Sequence, residues 1–156
     1  MKNNIILLNK PYGYKEGTGI KLIHNRKKGE LVDYNTLLIL LLGFSCHPPA
    51  IKKIYNSLKY MGEYSCFLQA SWFKNQYYYL QLLLKEIDIE LDVFFYTSES
   101  EKNIAESIYK KEKERSQIKI DIDRERFISE TQERFFETGR WFLENVKKRI
   151  PDIEYI

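Results

Sequence analysis

Residues 89–149 read IELDVFFYTSESEKNIAESIYKKEKERSQIKIDIDRERFISETQERFFETGRWFLENVKKR, and the fold class turns on how this stretch is parsed. Residues 89–96 (IELDVFFY) are β-branched and aromatic, which suits a pleated, half-buried surface. Ser98-x-x-Glu101 has the spacing of a capping box, so a helix is expected to open there. Its apolar side is narrow (Ile104, Ala105, Ile108, Tyr109), and Lys110, Lys111, Lys113 and Arg115 gather near its end, as the helix dipole favours. Residues 117–122 (QIKIDI) alternate strictly and predict a second strand. Asp123 then caps a long amphipathic helix reaching about Arg149. Ile128, Phe135, Gly139, Phe142 and Val146 lie along one stripe of that helix, with Glu130 and Arg134 paired four apart on its wet side. Parallel strands joined by a helix cross over right-handedly, so the two strands are expected to lie near each other, covered by the last helix. The predicted class is α/β, with α+β as the alternative: a mixed sheet, a C-terminal β-α-β-α unit and a helical, basic N-terminal half.

Working back towards the N-terminus, residues 5–8 and 20–24 are short strand candidates, read as a loose hairpin or two edge strands around a Pro, Gly and Tyr-rich loop. Asn25 to Gly29 is a basic turn. Asp33 is placed to cap an apolar helix from Tyr34, which Gly43 would end in the left-handed position after its last turn. Pro48 and Pro49 suit the first turn of a second helix, with Ile51, Ile54, Tyr55 and Leu58 on one face, Lys52, Lys53 and Lys59 off it, and Gly62 as its stop. Residues 64–87 can be read as a hairpin or a helix. The spacing of Phe73, Tyr77, Leu80, Leu84 and Ile87 favours an extended stretch over 64–69 and a helix over 72–87.

The 156 residues suit one domain spanning 1–156, long enough to bury a core. Two cysteines, Cys46 and Cys66, are too few for a disulfide framework and point to a reducing compartment. The apolar runs are shorter than the ~18 residues a bilayer span needs, so no membrane association and a cytoplasmic location are expected. Net charge is unevenly spread: residues 1–62 hold ten Lys and Arg against three acids, and residues 63–156 hold fifteen against nineteen, giving +7 and −4. Such a dipole can steer a charged partner or let the halves complement each other.

Candidate chemistry is sparse. Cys46, His47 and Cys66 could supply three zinc ligands, but their spacing matches no zinc module, so no metal and no cofactor are expected. Gly13, Gly17 and Gly19 lack the spacing that brings successive N–H groups to a phosphate. Asp121 and Asp123, at the carboxyl end of the expected second strand, could serve a small metal-dependent enzyme, although an N-cap explains Asp123 without further cause. The two helices over residues 33–61, with the basic residues of the same half, loosely resemble a winged helix-turn-helix, and nucleic-acid binding through this basic half is one alternative function.

Residues 92–101 (DVFFYTSESE) resemble the opening strand and loop of TIR-type domains. The likeness runs through Ile122 and implies a local βα unit. The 34 residues after Ile122 are too few for the remaining strands and the glutamate of a TIR NAD hydrolase, so no residue role is carried over.

The function expected is therefore that of a binding module recognising a partner protein, an acidic one being among the options, and blocking or modulating it as immunity proteins, antitoxins and inhibitors do. Twelve tyrosines supply rigid contact area with a polar tip. The anchor candidates are Tyr12, Tyr14, Trp72, Tyr77 and Tyr78, with Arg26, Lys27 and Lys28. A catalytic role is left uncertain, with the weight against one.

Overall fold

The computed structural model describes residues 5–7, 18–66 and 76–149. The elements, in order, are β1 (Ile5–Leu7), β2 (Thr18–His24), a 3-10 turn (Arg26–Lys28), α1 (Tyr34–Gly43), α2 (Pro48–Met61), β3 (Glu63–Cys66), α3 (Tyr77–Glu86), β4 (Ile89–Tyr96) and α4 (Glu99–Arg149). The fold is α+β. Its sheet runs β1-β4-β2-β3, with β1 parallel to β4 and β2 antiparallel to both β4 and β3. β2 is thus internal rather than an edge, and β4 separates it from β1.

β4 shows how register follows burial. Ile89 and Leu91 are buried, the alternation then slips, and Phe94 and Tyr96 are buried. The slip coincides with an irregularity where Lys21 pairs with Val93 but Leu22 pairs with Leu91, leaving Asp92 as an extra residue. Lys21 Nζ lies 3.9 Å from that Asp92 carboxylate. The shifted register lets Ile20 and Leu22 of β2 share a core with Leu91 and Phe94, and Tyr77 of α3 meets Phe94 edge-to-face at 5.0 Å.

Asp33 caps α1 as expected, accepting from Thr36 N–H at 3.2 Å. The other end corrects the expectation: Gly43 is helical, and the left-handed residue is Ser45 (φ 66°). α1 needs a glycine at position 43 for space. A Cβ there would stand 3.0 Å from the Phe135 carbonyl carbon, with that carbonyl oxygen closer still. Gly139 makes the reciprocal contact, since its Cβ would stand 2.8 Å from the Ile39 carbonyl carbon. α1 and α4 therefore touch backbone to backbone, and Phe44 stacks on Phe135 at 4.1 Å beside the crossing. α4 packs chiefly on α1 and α3, where the sequence suggested a lid over the sheet. α2 ends as read, with Gly62 left-handed at φ 77°.

The β-α-β-α unit is absent. Residues 117–122 are helical, and residues 99–149 depart from helix only at Asp123 (φ −159°, ψ 96°). The Ile/Lys/Asp alternation misled because Ser116 and Ile120, four apart, face inward while Ile118 and Ile122, also four apart, face water. Gln117 Nε2 donates to Asp121 Oδ1 at 2.7 Å across the same turn. Asp123 does begin a new helical segment, accepting from Arg126 N–H at 3.2 Å.

The segment before Asp123 doubles back on the one after it. In a straight helix Glu112 and Arg134 would be about 33 Å apart. Here Glu112 accepts from Tyr78 N–H at 3.1 Å, while the Arg134 guanidinium carbon sits 5.2 Å from the ring centroid of neighbouring Tyr79. Arg124, beside the bend, pairs with Glu86 at the other end of α3 at 3.3 Å. α4 is thus a helical hairpin folded around α3 with Asp123 at its apex. The expected Glu130–Arg134 pair gives way to Arg126–Glu130 at 2.9 Å, because Arg134 is engaged with the Tyr79 and Phe135 rings.

Two predictions follow from these contacts. Gly139→Ala, which would favour an isolated helix by about 1 kcal/mol, should instead destabilise the protein by about 3 kcal/mol or more in urea unfolding, and Gly43→Ala should do likewise. Asp123→Ala should cost about 1 kcal/mol and Asp123→Asn a small fraction of that, read by thermal melting, as befits a cap.

Candidate functional site

β2 ends at His24, whose backbone N–H donates to the Gly62 carbonyl at 2.9 Å. Asn25 N–H donates to the Asp88 carbonyl at 2.9 Å, so the basic turn is pinned between the end of α2 and the α3–β4 corner. The Arg26 guanidinium lies flat across Gly62, and a Cβ there would come within 3.0 Å of Cζ and Nε. Glycine at 62 thus serves both the left-handed backbone and the arginine. The cation in turn complements the partial negative charge at the C-terminus of α2.

An open cleft of about 500 Å³ lies beside this corner, lined by residues including Ile23, His24, Arg26, Lys27, Met61 and Glu90. His24 is 8% exposed, and its Nε2 is buried with no hydrogen-bond partner among the described residues. Met61, which lines the cleft, is 67% exposed and its neighbour Tyr60 is 74% exposed, with Lys59 Nζ 5.6 Å from the Tyr60 ring centroid. Adjacent large apolar side chains left to water, beside two cations and an open cleft, form the surface best suited to a partner.

A second polar cluster lies inside, where α4 meets α3. Glu112 reaches across to the first turn of α3, and the Tyr109 hydroxyl donates to Gln81 Oε1 while its ring meets Tyr78 edge-to-face at 5.6 Å. Burial pushes the Glu112 carboxyl up to about 7 against the opposing pull of Tyr78 N–H, Arg115 and Arg134. Burial also pushes the Tyr109 hydroxyl up to about 12 and holds Tyr77, Tyr78 and Tyr96 above the ordinary phenol range. These hydroxyls stay protonated at neutral pH and are no source of an activated phenolate.

Of the anchors expected from sequence, Arg26 and Lys27 are exposed at the cleft and Lys28 belongs to the same turn. Tyr77 and Tyr78 are 2% exposed core residues whose rings pack on Phe94 and Tyr109, so neither offers contact area at the surface. Tyr12, Tyr14 and Trp72, with Gly13 and Gly17, lie outside the described residues. Asp121 and Asp123 are occupied by Gln117 and by capping, Cys46 is buried, and His47 is the exposed residue before α2. Among the described residues no three His, Cys, Asp or Glu side chains converge, and no helix is long and apolar enough to cross a membrane.

Sequence reading passed over Tyr60, Met61 and Glu112, although signals existed. Tyr60 is nine residues, two and a half turns, after Ile51, which puts it opposite the apolar stripe of α2. Glu112, itself half-buried, falls in register with the buried Ala105, Tyr109 and Ser116, the four being spaced 4, 3, 4.

No known protein family, characterised protein or solved structure matches the chain.

The raised Glu112 carboxyl sets a pH dependence. Between about 4.5 and about 7 the folded state holds a proton that the unfolded chain has released, so stability should fall as pH rises through this window and level off above it. Glu112→Gln keeps an acceptor for Tyr78 N–H and removes the charge. It should flatten that part of the profile and, allowing for partial solvent screening, stabilise the protein at pH 8 by on the order of 1 kcal/mol in chemical unfolding.

Proposed function

We propose that this chain is a protein-binding module that blocks or modulates a partner protein, with the corner formed by the basic turn, the end of α2 and the neighbouring cleft as its contact surface. The observation that carries this reading is the exposure of Met61 and its neighbour Tyr60 at the end of α2, where Met61 lines one cleft with Arg26 and Lys27. Aromatic, Met and Arg side chains are the types enriched at interface centres, and the exposed Arg26 guanidinium lies close over Gly62. The glycine-supported corner is also fixed by backbone hydrogen bonds to α2 and to the α3–β4 turn, so contact would not require the surface to be ordered first. Inhibition by such a module needs no chemistry of its own: occupying the partner's working surface suffices.

A second reading, nucleic-acid binding, draws on the exposed Lys52, Lys53 and Lys59 of α2. The two separate in one experiment. The tagged full chain is used to capture partners from host lysate, with and without nuclease, and protein and nucleic acid in the eluate are both quantified. A stoichiometric protein that survives nuclease is expected, and recovery of nuclease-sensitive material alone would transfer the reading to nucleic acid. Lys27→Glu should weaken capture of that protein by about tenfold without changing the melting temperature. Lys27 is the cleaner target because replacing Arg26 would also disturb the end of α2.

A further inference from the structure

The solvent face of α2 continues into the same corner. Lys52, Lys53, Asn56, Lys59 and Tyr60 are all exposed, and the helix from Pro48 to Met61 contains no acidic residue. Fourteen residues make a helix of about 21 Å, with Lys52, Lys53 and Lys59 spread over its middle ~10 Å and Tyr60 and Met61 at its C-terminal end. There the chemistry changes: Tyr60 and Met61 stand out, Ile23 is half-buried in the cleft, Arg26, Lys27 and Glu90 line the same cleft, and Glu63 is exposed after Gly62.

This layout discriminates between occupants. A polyanion with charge at every unit could follow the lysines towards Arg26 and Lys27 but would also meet Glu63 and Glu90 past Gly62. A short segment with carboxylates at one end and an uncharged, bulky end at the other would meet lysines first and the cleft last. We infer that the solvent face of α2 docks a short acidic segment of a partner protein, with its carboxylates over Lys52, Lys53 and Lys59 and a large apolar side chain entering the cleft against Met61 and Ile23. This rests on the protein-binding reading and names the partner's chemistry. Lys59, whose ammonium sits over the Tyr60 ring, links the two halves of the surface by serving both a carboxylate and the aromatic wall. The carboxylates set the approach and the orientation; the apolar side chain supplies the desolvated anchor that slows release.

The test is selection of a displayed library of random peptides on the intact chain, followed by fluorescence anisotropy of the enriched peptides against variants. Enriched peptides should combine two or more Asp or Glu with a Leu, Phe, Trp or Met on one side of them. Lys52→Glu with Lys53→Glu should weaken their binding by about tenfold or more and reduce its salt dependence, while the charge-conserving Lys53→Arg should keep the affinity that Lys53→Ala loses. Met61→Ser should weaken binding by a similar factor with little change in salt dependence. All these positions are exposed, and unchanged melting curves would certify the variants. Enrichment of uncharged or basic peptides, affinities within about twofold of wild type in both variants, or displacement of the peptide by an oligonucleotide that binds the same face more tightly would overturn the inference. A protein captured from lysate equally well by wild type and by the Lys52→Glu, Lys53→Glu variant would leave the binding function standing and remove this surface from it. Failure to capture any protein would remove the function itself.

Discussion

Two glycines, Gly43 on α1 and Gly139 on α4, let the helices meet with nothing between their backbones, each lying against a carbonyl group of the other helix. Most of what else is observed depends on that approach. α1 is apolar nearly all round, with Leu37, Leu38, Leu40, Leu41 and Leu42 buried, so it needs neighbours on every side. α2 covers one side, and α4 can cover another only by coming this close. The same approach brings Phe44 onto Phe135 and carries Arg134 onto the Tyr79 ring, which fixes the second half of α4 against α3 as well. A methyl group at either glycine would push the helices apart and loosen contacts at both.

The hairpin in α4 is the second consequence. Once the segment after Asp123 is committed to α1, the segment before it can reach the opposite side of α3 only by folding back, and one extended residue is enough to do so. Asp123 suits that role because its side chain compensates a helix N-terminus created by the bend. The two arms then enclose the N-terminus of α3 with groups of opposite kind: Glu112 from the first accepts a backbone hydrogen bond, and Arg134 from the second covers an aromatic face. Gln76 before α3 gives no side-chain cap, so Glu112 supplies from a distant part of the chain what the local sequence lacks. Its burial between the arms is what holds a proton on it near neutrality.

How far the sequence could be read follows from the range of the interactions. Local chemistry was legible: Asp33, Ser98 and Asp123 as caps, Gly62 as a left-handed stop and residues 89–96 as a strand all rest on contacts within about four residues. What failed needed a partner far along the chain. Residues 117–122 alternate like a strand, yet their outward isoleucines are spaced for a helix, and only the arm's packing on α3 selects between the two periods. Gly43 looks like a helix stop until Phe135 is placed beside it. Tyr77 and Tyr78 carry the composition of an interface and the location of a core, a distinction that α3's position between β4 and α4 decides. The candidate site divides in the same way: Arg26 and Lys27 were visible as a basic turn, whereas the cleft beside them exists only because His24 and Asn25 are tied to α2 and to the α3–β4 corner.

That division bears on why a contact surface would sit where it does. The end of α2 is fixed by its left-handed glycine and by the backbone bond from β2, and none of these groups is among those that meet at the α1–α4 crossing. Side chains on the exposed face of α2 can therefore change without touching that crossing, since the buried face carries Ile51, Ile54 and Leu58 and the outer face carries none of the core. A surface arranged in this way can be fitted to a partner while the fold is kept. Tyr60 and Met61 illustrate the separation: they gain nothing from burial within this chain, and their apolar area becomes useful only when another molecule covers it.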